Sequence, residues 1–334
     1  MGFSSRVRTK AFAHLEMTRP YTVFHAGLVS IAGIELASRG HVSTGRTALA
    51  ALVTICGWVA GLYAGDYYDR EIDARSKPDR PVPSGRVSAR EAYLTMWALI
   101  IAGYLAALAL SWANLVLAVA TTALGIAYSK TFKTRAILGN FDRGVLGVCA
   151  VLFGALAGGD VSRPSVIALA AVVFLHDSAT NLVGAMRDAD GDRVAGCHTV
   201  PVVYGLARAI DIAGSLALAW LLLSLVLIWL LRPNPLAMAL FGASVLLAVA
   251  IYGTLWANRR SVTRPIALRA HKYLLVERLL LMSAFIAVYA PPVATLGLLV
   301  ATATVSIGSQ ALLRDRGELQ RIASPLAGTS ALPH

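Results

Sequence analysis

Residues 49–73 read LAALVTICGWVAGLYAGDYYDREID, from Leu49 to Asp73. Between Leu49 and Ala64 no residue is charged, and the next stretch carries Asp66, Asp69, Glu71 and Asp73. An apolar helix of nearly bilayer thickness therefore ends in a cluster of carboxylates. A bilayer core takes about 20 helical residues to cross, and similar apolar runs recur at Met96 to Ser111, Val166 to Leu175, Ile212 to Leu231 and Pro235 to Trp256. The fold class that follows is all-α, a polytopic membrane bundle of nine or ten helices.

Composition agrees. Of 334 residues, 57% are hydrophobic and 14% charged, against about 25% charged in soluble domains; mean hydropathy is +0.66. The net charge of +12 does not imply nucleic acid, because Lys and Arg gather on alternate connections. Arg6, Arg8, Lys10 and Arg19 precede the first span; Arg70, Arg75, Lys77, Arg80, Arg86 and Arg90 follow the second. Later basic groups occur around Lys130 to Arg143, Arg187 to Arg208, Arg259 to Lys272 and Arg314 to Arg321, while the opposite connections hold only Arg39, Arg46, Arg163 and Arg232. Basic loops mark the cytoplasmic face, so both termini are expected there and the span count is even. Ten spans fit: 21–38, 46–66, 91–111, 113–129, 143–159, 165–187, 207–231, 235–257, 273–290 and 292–312. A nine-span version with one long kinked final helix leaves the basic carboxy tail outside.

The first residues are polar and basic, so the span beginning at Tyr21 is itself the expected insertion signal. One membrane domain is expected over 1–316, with a mobile, dispensable tail over 317–334. Cys56, Cys149 and Cys197 fit no metal or disulfide pattern.

Of 18 acidic residues, many sit in two windows, Asp66 to Asp79 and Asp188 to Asp192, each where a span reaches the basic face. At helical spacing Asp66, Asp69 and Asp73 share a face, as do Asp188 and Asp192. One such cluster reads equally well as a solvated helix end. Two on the same side, each flanked by Arg and Gly, point instead to hard divalent cations, and Mg²⁺ commonly bridges one or two carboxylates to substrate phosphates. The Pro-rich loop from Lys77 to Arg86 presents Lys77, Arg80 and Arg86 beside the first cluster, where cations bind phosphate oxygens or simply mark topology.

Gly65-Asp66-Tyr67-Tyr68-Asp69-Arg70-Glu71-Ile72-Asp73 resembles the first motif, Asn-Asp-x-x-Asp-x-x-x-Asp, of the UbiA superfamily of intramembrane prenyltransferases. Pro78 to Ser88 is similar to its continuation. Arg187-Asp188-Ala189-Asp190-Gly191-Asp192-Arg193, leading to Gly196, Thr199 and Pro201, resembles the second motif. Tyr128-Ser129-Lys130-Thr131-Phe132-Lys133 resembles the segment between, and Arg19-Pro20 the entry to the first helix. The resemblance implies a central cavity open to lipid under a cytoplasmic cap. It implies Asp66, Asp69, Asp73, Asp188 and Asp192 as ligands for two or more Mg²⁺ ions, and Lys77, Arg80, Arg86, Lys133 and Arg193 as diphosphate contacts. Asp69, Asp188, Lys133 and Tyr128 would stand at the catalytic centre. The family's leading Asn is Gly65 here, leaving water, Asp66 or the remote Asn181 to compensate.

The activity implied is ionisation of an allylic prenyl diphosphate and transfer of the prenyl group to a lipophilic, chiefly aromatic, acceptor. A terpene cyclase using the same motifs is the alternative. A transporter of lipid diphosphates would instead line a path with deep charges. His176, Asp177 and Asn181 lie inside the sixth span and either position an acceptor, act as a base, or make a helix–helix hydrogen bond. Arg278, taken as opening the ninth span, is expected to snorkel to the interface, with Glu277 or a neighbour as its partner; Asp142 and Arg143 are read the same way at the start of the fifth. Trp58, Tyr63, Tyr67, Tyr68 and Phe174 are candidates to shield a cation, or packing.

Overall fold

The computed structural model describes residues 3–314; the expected tail at 317–334 lies outside them. The described residues are helical almost throughout, with no strand beyond one isolated bridge between Arg135 and His198. In chain order the helices are α1 (Phe3–Thr18), α2 (Phe24–Ser38), α3 (Thr44–Tyr68), α4 (Arg70–Ser76), α5 (Ala89–Leu110), α6 (Trp112–Ala127), α7 (Ala136–Gly158), α8 (Pro164–Val194), α9 (Val200–Tyr204), α10 (Leu206–Leu230), α11 (Pro235–Ala257), α12 (Arg264–Ala287) and α13 (Pro292–Ser309).

A helix lies at each of the ten expected spans. Among the described residues, 8 helices are long and apolar enough to cross a membrane. Of the other two, α2 has only 15 residues, and α12 carries Arg269, Lys272, Glu277 and Arg278. Chain chemistry sets the ends. Ser88 and Glu91 form a reciprocal capping box at the start of α5, Asn234 caps α11, and Pro sits in the first turn of α8, α11, α12 and α13, where its missing N–H has no partner to lose.

Three boundaries differ from expectation, and each moves polar residues into a helix. The fifth helix starts at Ala136, not 143, because Gly139 seats directly against the backbone of Phe132 and Lys133. The sixth continues to Val194, so Asp188 and Asp192 ride on its last turns. The ninth starts at Arg264, which puts Glu277 and Arg278 in mid-helix and buried. Snorkelling is therefore excluded for Arg278.

Small residues let the central helices approach. A Cβ on Gly154 of α7 would stand 1.9 Å from the Ser30 carbonyl oxygen of α2, and one on Gly33 would stand 2.3 Å from that of Val151. Gly144 and Gly147 do the same toward Phe174, Asp177 and Ser178 of α8. Such contacts hold membrane bundles together, since lipid supplies no hydrophobic drive between helices. Trp220, Phe285, Leu169 and Leu28 fill the largest core. Outward faces carry Leu105, Trp229, Leu246 and Val293, each at least two-thirds exposed, as suits a surface surrounded by hydrocarbon.

Candidate active site

A cavity of about 600 Å³ runs into the bundle between α2, α3, α5, α6, α7 and α8. One end is lined by Asp66, Asp69, Asp73, Asp188 and Asp192, the side walls by groups such as Leu99, Ile100, Gly103 and Ala118.

The last turn of α3 supplies Asp66. The helix is interrupted at Asp69, yet the Asp69 N–H still bonds the Gly65 carbonyl at 2.9 Å and the Asp73 N–H bonds that of Asp69 at 2.7 Å. The helical path is thus kept through α4, and the three carboxylates share one face. All three are buried, at 4%, 7% and 4% exposure. Buried carboxylates need countercharges, and basic groups from three segments provide them. Arg19 donates to Asp66 at 2.7 Å, Arg80 to Asp73 at 2.5 Å while lying 3.6 Å from Asp66, and Lys133 donates to Asp69. Arg19 holds a left-handed backbone, φ 44°; strain of this kind, uncommon outside glycine, tends to collect at functional sites.

Across the cavity, Asp188 is bridged by Arg187 and lies 4.0 Å from Lys77. Asp192 accepts from the Thr199 hydroxyl at 3.1 Å. Lys133 follows a π-helical turn, Tyr128–Phe132, a form common near functional sites, and Tyr128 lines the cavity. The segment after it is pinned to the loop after α8, with the His198 N–H donating to the Thr134 carbonyl at 3.0 Å and the Ala136 N–H to that of His198 at 2.5 Å. That link draws Lys133 toward the second cluster.

Burial pulls the Lys77 ammonium down to about 8, against the opposing pull of Asp188. Burial also works against Lys133 and Arg80, but Asp69 holds the first, and Asp66 with Asp73 the second, above their ordinary values.

Not every expected residue joins this set. Arg86 turns away to Glu16, at 2.7 Å, and to the Asp79 carbonyl, at 2.6 Å, fastening the Pro-rich loop to α1. Arg193 is exposed, with Asp190 at 3.3 Å. His176 points away from the cavity into the packing of α8 against α10, α11 and α12, where it bonds Glu277 at 2.6 Å and meets the edge of Trp220. Glu277 also accepts from Ser244. Asp177 and Asn181 do line the cavity. Arg278 reaches Asp177 with both terminal nitrogens. Lining residues that the sequence did not single out as site residues are Arg19, His25, Arg143 and Arg278. Arg143 stacks on Trp58, its guanidinium carbon 4.1 Å from the ring centre. A lone arginine in an apolar run was the available signal, hidden by the misplaced start of α7.

The oxygen-only donor set suits a hard cation such as Mg²⁺. Among the described residues no three acidic, His or Cys side chains converge as a ready metal group, since nearly every carboxylate is drawn to a basic partner.

A multi-pass helical membrane protein with buried, countercharged carboxylates at one end of a cavity with apolar side walls belongs to the class of intramembrane enzymes. The chain is a member of the UbiA prenyltransferase family, whose model matches residues 26–276. Digeranylgeranylglyceryl phosphate synthase of Natronomonas pharaonis is 32% identical over 254 residues, 75% of this chain and 88% of the relative. The enzyme of that name from Ignicoccus hospitalis is 34% identical over 222 residues, 64% of this chain and 72% of the relative. A solved digeranylgeranylglyceryl phosphate synthase aligns with TM-score 0.64 and 25% identity, covering 84% of this chain and 98% of its own. A UbiA homologue from Archaeoglobus fulgidus, bound to GPP and Mg²⁺, shares the fold with TM-score 0.60 at 18% identity, over 90% of this chain and 99% of its own.

Proposed function

We propose that this prenyltransferase binds an allylic prenyl diphosphate with two or more Mg²⁺ ions at the carboxylate end of the cavity and transfers the prenyl group to a lipophilic acceptor. The observation that carries this reading is the meeting of five carboxylates and the cations Arg19, Lys77, Arg80 and Lys133 at one end of a cavity with apolar side walls. The A. fulgidus homologue bound to GPP and Mg²⁺ supports the donor and the ion.

Asp66, Asp69, Asp73, Asp188 and Asp192 would hold the metal, which when bound neutralises charge on the diphosphate. Lys77, Arg80 and Lys133 are positioned to receive phosphate oxygens as those carboxylates turn to the ion. The allylic C–O bond breaks, its electron pair leaving with diphosphate, and preorganised cations stabilise that developing charge. Apolar walls exclude water from the allylic cation, and Tyr128, which lines the cavity, is the candidate to face it. The acceptor oxygen or carbon forms the new bond and gives up its proton to the diphosphate that has left. Beside an aromatic acceptor, the name shared by the relatives adds a glycerol phosphate lipid as a candidate. Because basic residues crowd the connections at the carboxylate end, that end is assigned to the cytoplasmic side.

The test is diphosphate release from C10, C15 and C20 allylic diphosphates in detergent with Mg²⁺, with and without a lipid extract, products being read by mass spectrometry. An Asp69→Ala, Asp188→Ala double variant is the blank. Release that depends on an acceptor and yields a prenylated product supports transfer. A cyclic hydrocarbon or terpene alcohol formed without acceptor, and lost in the blank, overturns transfer in favour of cyclisation.

A further inference from the structure

Resting on the transferase reading, the geometry points to a second, anion-binding subsite deep in the same cavity, formed by Arg143, His25 and Arg278, which seats an anionic headgroup on the acceptor. Asp177 lies eleven residues before Asp188 on one continuous helix, α8, so it stands about 16 Å deeper at 1.5 Å per residue. Gly147, one turn along α7 from Arg143, packs against the Asp177 carboxylate. The polar groups around Asp177 are therefore a separate layer from the carboxylate clusters.

Charge in this layer is unbalanced on the cavity side. The Asp177 carboxylate is engaged by both terminal nitrogens of Arg278. Asp142 is not among the lining residues. Arg143 forms no ion pair among the described residues: Asp177 and Asp142 act on it from beyond ion-pair distance, and its guanidinium lies over the face of Trp58. Beside it His25, 3% exposed, leaves Nε2 without a hydrogen-bond partner, and Arg278 leaves Nε without one. The His25 ring is 6.5 Å from that of Trp58. Unpartnered buried polar atoms are costly, and both His25 and Arg278 line the cavity. A planar guanidinium held over an indole is preorganised to bind a carboxylate or phosphate through two parallel N–H bonds.

The dimensions suit two substrates. With diphosphate at one end and an anion at the other, the reacting carbon falls between, and the acceptor's nucleophile need lie only a few bonds from its charged group. Both a carboxylate-bearing aromatic ring and a glycerol phosphate meet that requirement. The prenyl tail then leaves sideways, past Ile100, Gly103 and Ala118. A pocket built to fold a carbocation would instead place this cation against its own substrate.

The experiment is isothermal titration of the full-length protein in non-ionic detergent, with Mg²⁺ and inorganic diphosphate at saturation to fill the carboxylate end. The probes are dodecyl phosphate, 4-dodecylbenzoate and dodecanol. At least one anionic probe is expected to bind tenfold or more tightly than dodecanol, with that preference largely lost in Arg143→Gln and only partly kept in Arg143→Lys, which retains the charge but not the paired N–H bonds. A phosphate preference assigns a phosphate head, and a benzoate preference an aromatic carboxylate. Anionic probes within threefold of dodecanol in the unaltered protein overturn the subsite, as does an undiminished preference in Arg143→Gln. Should Arg143→Gln not fold, Arg143→Lys and the unaltered protein still decide. Binding is read without turnover, so absence of prenyl transfer overturns the proposed function and leaves this result standing by itself.

Discussion

Arg80 donates to Asp73 at 2.5 Å while its guanidinium also lies 3.6 Å from Asp66. One side chain from the Pro-rich loop thus spans two carboxylates of the first cluster, so the loop and the cluster behave as a unit. Arg80→Gln removes charge-assisted bonds of about 1.5–3 kcal/mol each. The expected result is a fall of roughly ten- to a hundredfold in kcat/KM for the prenyl diphosphate. Arg193, exposed and paired with Asp190, gives the contrast: Arg193→Ala should stay within about twofold. Steady-state kinetics of the two variants decide whether cavity placement or motif membership governs donor binding.

The Asp177–Arg278 pair joins α8 to α12 where both are buried. Breaking such a pair strands a charge and costs about 3–5 kcal/mol, whereas replacing both partners by apolar groups is often far milder. Asp177→Leu and Arg278→Met should each lower the thermal midpoint in detergent strongly, and the double variant should recover part of the loss. Equal, additive losses would show that the two residues do not act as a pair.

The membrane class, both carboxylate clusters and a helix at each of the ten expected spans were legible in the sequence, because apolar length and helical spacing are local signals. Where Arg86 and Arg143 point was not legible, and the choice among the readings of His176 stayed open until the helix–helix bond was seen, since each depends on which neighbour arrives from elsewhere in the chain. Arg86 finds Glu16. His176 is claimed by Glu277 once α12 is seen to begin at Arg264. Arg143 enters the cavity because α7 starts earlier than its polar first turns suggest.

Gly154 permits the contact between α2 and α7, since an added Cβ would stand 1.9 Å from the Ser30 carbonyl oxygen. Backbone cannot yield as a flexible side chain can, so Gly154→Val must part the helices. A loss of several kcal/mol is expected, of the order seen for severe overpacking. Gly57, where an added Cβ meets nothing within 4 Å, is the control; Gly57→Ala should unfold close to the unaltered protein. Thermal unfolding in detergent, followed by circular dichroism, separates the two.

Cys197 lines the cavity beside Asp192. Burial pushes its thiol up, and the Asp192 charge pushes in the same direction. Only the thiolate reacts with maleimide, so a raised value means little thiolate at neutral pH and a labelling rate that climbs only as the solution becomes alkaline. Mass spectrometry of peptides from the labelled protein, which separates Cys197 from Cys56 and Cys149, should find Cys197 labelled more slowly at pH 7 than a free thiol peptide. Mg²⁺ with diphosphate should slow it further by filling the cavity. Fast labelling at pH 7, unaffected by Mg²⁺ and diphosphate, would place this thiol outside the site.

Gly65 stands where the family's first motif begins with Asn. It lines the cavity, and a Cβ built on it meets nothing within 4 Å. The space for a larger side chain is therefore present, and glycine inside a helix is already unfavourable by roughly 0.5–1 kcal/mol relative to alanine. Gly65→Asn should fold at least as well as the unaltered protein. Its amide oxygen would add a neutral hard donor one residue from Asp66, of the kind Mg²⁺ accepts. The expected outcome is a several-fold lower Mg²⁺ concentration for half-maximal diphosphate release, read from a metal titration at fixed prenyl diphosphate. An unchanged or higher requirement would mean that the carboxylates at this end already satisfy the ion, and that glycine costs this chain nothing in metal binding.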